Sequence, residues 1–152
     1  MKRTIIRDPN VVDRWIEAAG PITLDSETTG LHPFAGDRMI GVPMHSPKLE
    51  ESIYVPLRHE WFGDLLSGAF ENAPLDRALE VFRDRLPSLR CAYWNAPFDV
   101  NMLSRDVIET RSVRDVLLHA RIVTAGEYSK SYHLKSFAAD LGAKIDDSDK
   151  LD

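Results

Sequence analysis

The chain has 152 residues, of which 43% are hydrophobic and 28% charged, and its formal net charge is −5. These values are typical of one globular domain, and no apolar run approaches the roughly 20 residues of a membrane-spanning helix, so we expect no membrane partner. The negative charge argues against an ordinary basic DNA-binding module, although carboxylates that bind divalent cations reverse their own local field.

The N-terminus and the single cysteine bear on location. Residues 1–6 are basic and then briefly apolar, but Asp8-Pro9 follows at once, which argues against a signal peptide. Cys91 has no second cysteine to pair with and lies among apolar residues, so we predict a buried strand residue rather than a reactive thiol. We therefore expect an intracellular, cytoplasmic protein.

The first sixty residues predict one helix and three strands. Asp8 can cap the helix, Pro9 suits its first position, and Gly20-Pro21 ends it. Three apolar-rich runs follow, separated by turn residues, as in an antiparallel meander. These runs are residues 22–27, 39–44 and 52–57.

The rest of the chain alternates between helix and strand. Residues 59–72 contain glycines and scattered aromatics, and they predict a long loop. Helices are predicted from Pro74 and at 96–105, 115–124 and 134–141, with a strand at 90–94. Three strands followed by this alternation predict an α/β fold, a mixed sheet with helices on both faces.

Asp25 and Glu27 are the most informative pair of acids. Residues two apart in a strand share a face, so both carboxylates should project together. Ile22 and Leu24 place that strand in a core, where paired charges are costly without a cation, and Mg²⁺ or Mn²⁺ prefers such oxygen ligands. The alternative is an aspartate at a turn beside a solvated glutamate.

A third acid follows about 70 residues later. Asp99 comes after a short apolar strand and an asparagine turn, in the first turn of a predicted helix. Taken alone, Asp99 fits the positive end of the helix dipole and Asn95 fits a helix cap. The joint occurrence of both acidic segments in one domain favours a shared site.

Both segments resemble the motifs of a known superfamily. Residues 24–31, LDSETTGL, resemble the first motif of the proofreading exonucleases, which use three aspartates and one glutamate, and residues 95–99, NAPFD, resemble the second. Four further segments are similar to the exonuclease domain of family A DNA polymerases, the bacterial polymerase I type: residues 37–42, 53–59, 115–118 and 133–142. The resemblance covers residues 22–142 and implies a ribonuclease H-like fold, with an antiparallel meander plus parallel strands flanked by helices.

The resemblance also implies a reaction. Asp25, Glu27 and Asp99 would hold two divalent metal ions, Mg²⁺ or Mn²⁺, and the enzyme would release nucleoside monophosphates from the 3′ end of single-stranded DNA. It would act as the proofreading 3′→5′ exonuclease of a polymerase domain present in cis or in trans, in a nucleoid-associated location.

Three motif positions are implied contacts to the terminal nucleotide: Thr28, Leu31 and Asn95. Leu31 could wedge against the terminal base without reading its identity, as apolar platforms do in single-strand binding. Its alternative is an ordinary core leucine after a turn. Phe98 and Met102 are predicted as core residues.

The fourth acid of the superfamily is not identified in the sequence. The family uses an aspartate preceded by a tyrosine or a histidine, but His133 and Asp140 are seven residues apart where the histidine subclass uses five. Tyr128 and Tyr132 have no aspartate four residues on. An acidic tail follows at Asp146, Asp147, Asp149 and Asp152.

Three interpretations follow from the missing acid. We favour a single exonuclease domain, residues 1–152, truncated before the third catalytic motif. The alternatives are a domain that is catalytically incomplete and serves as a nucleic-acid-binding or structural module, and a tail aspartate that completes the site. A ribonuclease D-like exonuclease, in which the same chemistry acts on RNA, is a further alternative. No residue here is predicted to read the 2′-hydroxyl that distinguishes RNA from DNA.

Overall fold

The computed structural model describes residues 2–59, 71–125 and 132–143. Within them the chain forms one mixed sheet flanked by helices. The strands are β1 Lys2–Ile5, β2 Ile22–Leu24, β3 Glu27–Thr28, β4 Met39–Ser46, β5 Glu51–Pro56, β6 Arg90–Tyr93 and β7 Ser112–Asp115. The helices are α1 Pro9–Ala19, α2 Leu75–Arg85, α3 Ala96–Arg105, α4 Val116–Val123 and α5 Leu134–Asp140.

The sheet has the order β1-β5-β4-β2-β6-β7, and β3 also pairs with β4. Strand β4 is antiparallel to both β2 and β5, so the predicted meander is confirmed. The pairs β1–β5, β2–β6 and β6–β7 are parallel, which confirms the mixed α/β class. Strands β1 and β7 were not predicted; each has four residues and is mostly exposed, so neither carries an apolar pattern.

The predicted strand at 22–27 is wrong in one respect, because it is interrupted at Asp25-Ser26. The Ser26 N–H donates to the Asp99 carboxylate instead of to a neighbouring strand. The alternation of exposure nevertheless continues through the break: Leu24 and Ser26 are buried, whereas Asp25 and Glu27 are exposed. The two acids therefore keep a common side without belonging to one strand.

Helices α1 and α2 cover the face of the sheet opposite to Asp25 and Glu27. Helix α1 begins as predicted, with the Asp8 carboxylate accepting from Asn10 N at 2.9 Å. An ion pair joins the two helices, with Arg85 Nε donating to Asp13 Oδ1 at 2.6 Å. One cluster of buried side chains links them to the sheet; it includes Val12, Trp15, Ile16, Ile22, Leu24, Leu79, Phe82 and Leu86.

The remaining predicted elements lie close to their expected bounds. Helices α3, α4 and α5 match the three predicted helices to within a residue or two. Cys91 is 1% exposed in β6, which confirms its predicted burial. Residues 60–70 of the predicted long loop lie outside the described residues. None of the described helices is long and apolar enough to span a bilayer.

Candidate active site

Asp25 and Glu27 border one groove at the middle of the sheet. Asp25 N donates to Pro43 O at 3.1 Å, and Glu27 lies opposite Gly41 of β4. Both acids line a groove of about 630 Å³, which continues over the sheet to Val116 of α4. The structure thus brings the first two predicted site residues to the same open space.

Asp99 is a neighbour of Asp25, lies in the first turn of α3, and is only 1% exposed. Its Oδ1 accepts two hydrogen bonds from Ser26, from N at 2.9 Å and from Oγ at 2.7 Å. Burial raises the pKa of Asp99 to about 7, the Ser26 hydroxyl opposes this rise, and the negative charge of Asp25 adds to it. Asp25 and Asp99 are therefore electrostatic neighbours.

Two adjacent carboxylates resist being ionised together unless a proton or a cation lies between them. Hard oxygen donors of this kind fit Mg²⁺ or Mn²⁺. Within residues 2–59, 71–125 and 132–143, however, no group of three His, Cys, Asp or Glu side chains stands close enough together to hold an ion. The donor chemistry fits a divalent cation, while the three acids do not converge closely enough in the described residues to enclose one.

Thr28 and its neighbours build a tied loop. The Thr28 hydroxyl donates to Gly30 O at 2.7 Å, and the Asp37 carboxylate accepts from His32 N, also at 2.7 Å. A Cβ on Gly30 would stand 2.5 Å from Asp37 Oδ2, so a larger residue here would displace the carboxylate that ties the loop. The hydroxyl of Thr28 therefore supports the loop, and its oxygen remains the atom that could accept a bond from a ligand.

Leu31 projects from this loop and is 73% exposed, so the alternative of a core leucine is wrong. It lines a second groove of about 510 Å³ together with Phe34, Pro97 and Phe98. Phe34 is 78% exposed and was not predicted as a site residue. In the sequence, only its position could have indicated Phe34 as a site residue. It is an aromatic residue between Pro33 and the Gly36 turn, shortly after the first motif.

Phe98 and Met102 differ in how deeply their side chains are buried. Met102 is fully buried, as predicted, whereas Phe98 is only partly buried and lines the groove beside Leu31. The two residues are four apart on α3, but Phe98 lies in the first turn, where the helix emerges beside the loop.

Asn95 precedes α3 with a left-handed backbone, φ 67° and ψ 57°. Asparagine tolerates this conformation better than most residues. Its side chain is exposed and makes no capping hydrogen bond, so the interpretation as a simple helix cap is wrong. Its backbone oxygen accepts from Phe98 N at 3.1 Å, and this bond starts the helix that carries Asp99.

The structure describes three of the residues considered for the fourth acid. His133 and Asp140 are exposed at the two ends of α5. Tyr132 stacks on Phe137 and has Arg121 over its ring. Tyr128 and the four tail aspartates lie outside the described residues.

The sheet order and its helices define a ribonuclease H-like fold, which solved nuclease structures share. Brucella melitensis NrnC matches with a TM-score of 0.63 and 19% identity over 96% of this chain and 64% of its own. The RNase domain of yeast Pop2 matches with a TM-score of 0.61 and 12% identity over 93% of this chain and 77% of its own. The POL domain of Pol1 from M. smegmatis matches with a TM-score of 0.69 and 14% identity over 95% of this chain and 23% of its own.

In sequence, the chain is similar to DNA polymerase I of Rhizobium leguminosarum, with 31% identity over 143 residues. The aligned part is 80% of this chain and 13% of that polymerase, so the chain spans a small part of its relative. No family model matches. The predicted resemblance to polymerase I is confirmed by this alignment.

Proposed function

We propose that this chain is a metal-dependent 3′→5′ exonuclease that edits DNA 3′ ends for a polymerase of the polymerase I type. One observation carries the proposal: the buried Asp99, held by two hydrogen bonds from Ser26, lies beside Asp25 at a groove that Glu27 also lines. A buried carboxylate beside a second acid is costly to ionise, and a divalent cation is the partner that offsets the cost.

The three acids would divide the metal ligation. Asp25 and Glu27 would hold one ion, and Asp25 would share a second ion with Asp99. Two ions bound in this way would lower the pKa of a water and stabilise the charge on the leaving 3′ oxygen. Ser26 holds the Asp99 carboxylate in position through its two hydrogen bonds, as outer-shell hydrogen bonds do in other metal sites.

The terminal nucleotide would lie between the metal groove and the second groove. Leu31 and Phe34 offer apolar surface for a base. Such contacts accept any base, because every nucleic-acid base has an aromatic face. The exposed Asn95 and the oxygen of Thr28 would contact the sugar or the phosphate.

Several matched proteins support the choice of ion and ligand class. NrnC has been solved with bound Mg²⁺ and with bound pGG, and the Pol1 domain was solved with a DNA primer-template. By analogy we propose Mg²⁺ or Mn²⁺ as the cofactor, a single-stranded 3′ end as the substrate, and a polymerase domain as the partner. The fourth carboxylate would come from residues outside the described part of the chain.

The decisive experiment is digestion of 3′-labelled single-stranded DNA with Mn²⁺. We expect the protein to release mononucleotides, and Asp25→Ala to lower the rate at least about a hundredfold, since removal of a transition-state charge stabiliser costs this much or more. Asp84→Ala is the control, because Asp84 is an exposed aspartate on α2. Equal rates for Asp25→Ala and Asp84→Ala would contradict the proposal.

Two other functions are separated by the same assay. The match to the RNase domain of Pop2 favours RNA as the competing substrate, and faster digestion of a matched RNA 3′ end would establish it. The lack of three converging metal ligands in the described residues favours a binding module. Binding of a 3′ end without turnover would establish that function instead.

A further inference from the structure

A tyrosine of β5 reaches the strand position opposite Glu27. Glu27 faces Gly41 of β4, while Tyr54 stands two pairs along, opposite Pro43. The Tyr54 ring leans over the sheet so far that a Cβ on Gly41 would stand 1.9 Å from its hydroxyl oxygen. Glycine inside a strand often marks such a close approach, and here it leaves the space that the phenol occupies.

His59 is the hydrogen-bond partner of the Tyr54 hydroxyl. Tyr54 Oη and His59 Nε2 lie within hydrogen-bond distance, and the ring centroids are 5.7 Å apart. Asn72 fixes His59 in turn, because its side-chain oxygen accepts from His59 N and its amide donates to His59 O, each at 3.0 Å. If His59 Nε2 carries the proton, it donates to the Tyr54 oxygen and leaves the phenolic hydrogen to another acceptor.

Glu27 is the charged group that acts on this phenol. Burial raises the pKa of Tyr54 to about 12, and the negative charge of Glu27 adds to the rise. Side chains of directly opposite residues in an antiparallel pair lie on one face, with Cβ atoms about 4.5–5.5 Å apart. The phenol occupies the place of a Gly41 side chain and therefore lies beside the Glu27 side chain. Glu27 is exposed in the groove, and a long exposed side chain keeps several rotamers unless a neighbour selects one.

We propose that Tyr54, held by His59 over Gly41, is a positioning residue that orients the Glu27 carboxylate toward the cation it shares with Asp25. This inference rests on the proposed function, since it takes Glu27 to be a metal ligand. Contact with Tyr54 would hold the Glu27 carboxylate in one direction, toward the two aspartates, which the three acids do not do by themselves. Outer-shell partners of this kind typically change metal affinity about 10–100-fold when they are removed.

The test uses Mn²⁺ alone as the probe, with electron paramagnetic resonance measuring the free ion. Tyr54→Phe should weaken Mn²⁺ binding about tenfold. Gly41→Ala should do the same while keeping the phenol, because the new methyl group displaces it. Tyr132→Phe makes the same chemical change at a residue that does not line the groove and should leave the affinity unchanged.

A double-variant comparison separates positioning from general damage. In a Glu27→Gln background, Tyr54→Phe should cause no further loss of Mn²⁺ affinity, because no carboxylate remains to be oriented. An equal loss in both backgrounds, or no loss in either, would overturn the inference.

A metal-free readout keeps the two proposals distinguishable. With ¹³C-labelled glutamate, the Glu27 carboxyl resonance should shift in Tyr54→Phe and stay in place in Tyr132→Phe. If the wild-type chain binds no Mn²⁺, the proposed function fails, yet a shifted resonance still supports positioning. A Glu27 resonance that stays in place in Tyr54→Phe overturns the positioning role whether or not metal binds.

Discussion

The two sides of the sheet bury very different amounts of side chain. On the first side, α1 and α2 enclose large residues such as Trp15 and Phe82 against the strands. On the second side, which carries the acidic groove, α4 buries only Ala120, and α5 has no buried residue. Ile122 and Leu134, which a packed helix would cover, are 65% and 51% exposed.

This difference separates stability from function within one small fold. The α1–α2 side is packed as a core and has the contacts that hold the sheet together. The groove side instead carries exposed apolar residues and two exposed acids, and the buried Asp99 lies beside one of these acids. These features cost stability or contribute none. Substitutions on the two sides should therefore affect different measurements.

The largest expected effect is on the α1–α2 side. Phe82 is fully buried, so Phe82→Ala should lower the free energy of unfolding by about 3–5 kcal/mol through lost burial and the cavity left behind. Ile122→Ala, on the exposed face of α4, should change it by no more than about 0.5 kcal/mol. Denaturant unfolding monitored by circular dichroism measures both. Similar losses for the two variants would mean that α4 packs as tightly as α2, and the comparison would fail.

The pH dependence of stability tests the groove side. The pKa of Asp99 is about 7 in the folded chain and near 3.8 when unfolded. Between these values the folded state holds a proton that the unfolded state has lost, so stability should fall as the pH rises from about 4 to about 7, by on the order of 1 kcal/mol per unit, and then level off. Asp99→Asn should remove that slope.

The same measurement has a built-in control. Asp84→Asn changes an exposed carboxylate on α2 and should keep the wild-type slope. Added Mg²⁺ should stabilise the wild-type chain at pH 8 more than it stabilises Asp99→Asn, because the ion proposed to lie between Asp25 and Asp99 binds the ionised Asp99 carboxylate. A wild-type slope that persists in Asp99→Asn would show that another group is responsible.

The sequence was most informative where the pattern is local. The cap at Asp8 and the apolar face of α1 lie within a dozen residues, and so do the turns of the meander, so each could be predicted without the rest of the fold. Strand β1 could not, because it forms by pairing with β5, almost fifty residues away, and its own residues are mostly exposed.

The site was predictable in its acids but not in their surroundings. Asp25, Glu27 and Asp99 followed from motif resemblance, and their roles stay a prediction. The break at Ser26 depends on a carboxylate 73 residues further along the chain. The exposure of Leu31 depends on how Asp37 ties the loop, and the role inferred for Tyr54 depends on the missing side chain of Gly41.

The smallest expected effect compares two leucines of almost equal exposure. Leu31 is 73% exposed and Leu141 is 74% exposed, but only Leu31 lines the groove beside Phe34. Leu31→Ala should weaken binding of a single-stranded DNA 3′ end by about 1 kcal/mol, roughly fivefold, at the low end of what base-stacking contacts contribute. Leu141→Ala should leave binding unchanged, and neither should shift the thermal midpoint. Fluorescence anisotropy with Ca²⁺, which allows binding while slowing hydrolysis, measures the difference. Equal binding by the two variants would remove Leu31 from the nucleotide site and leave the groove side with its acids alone.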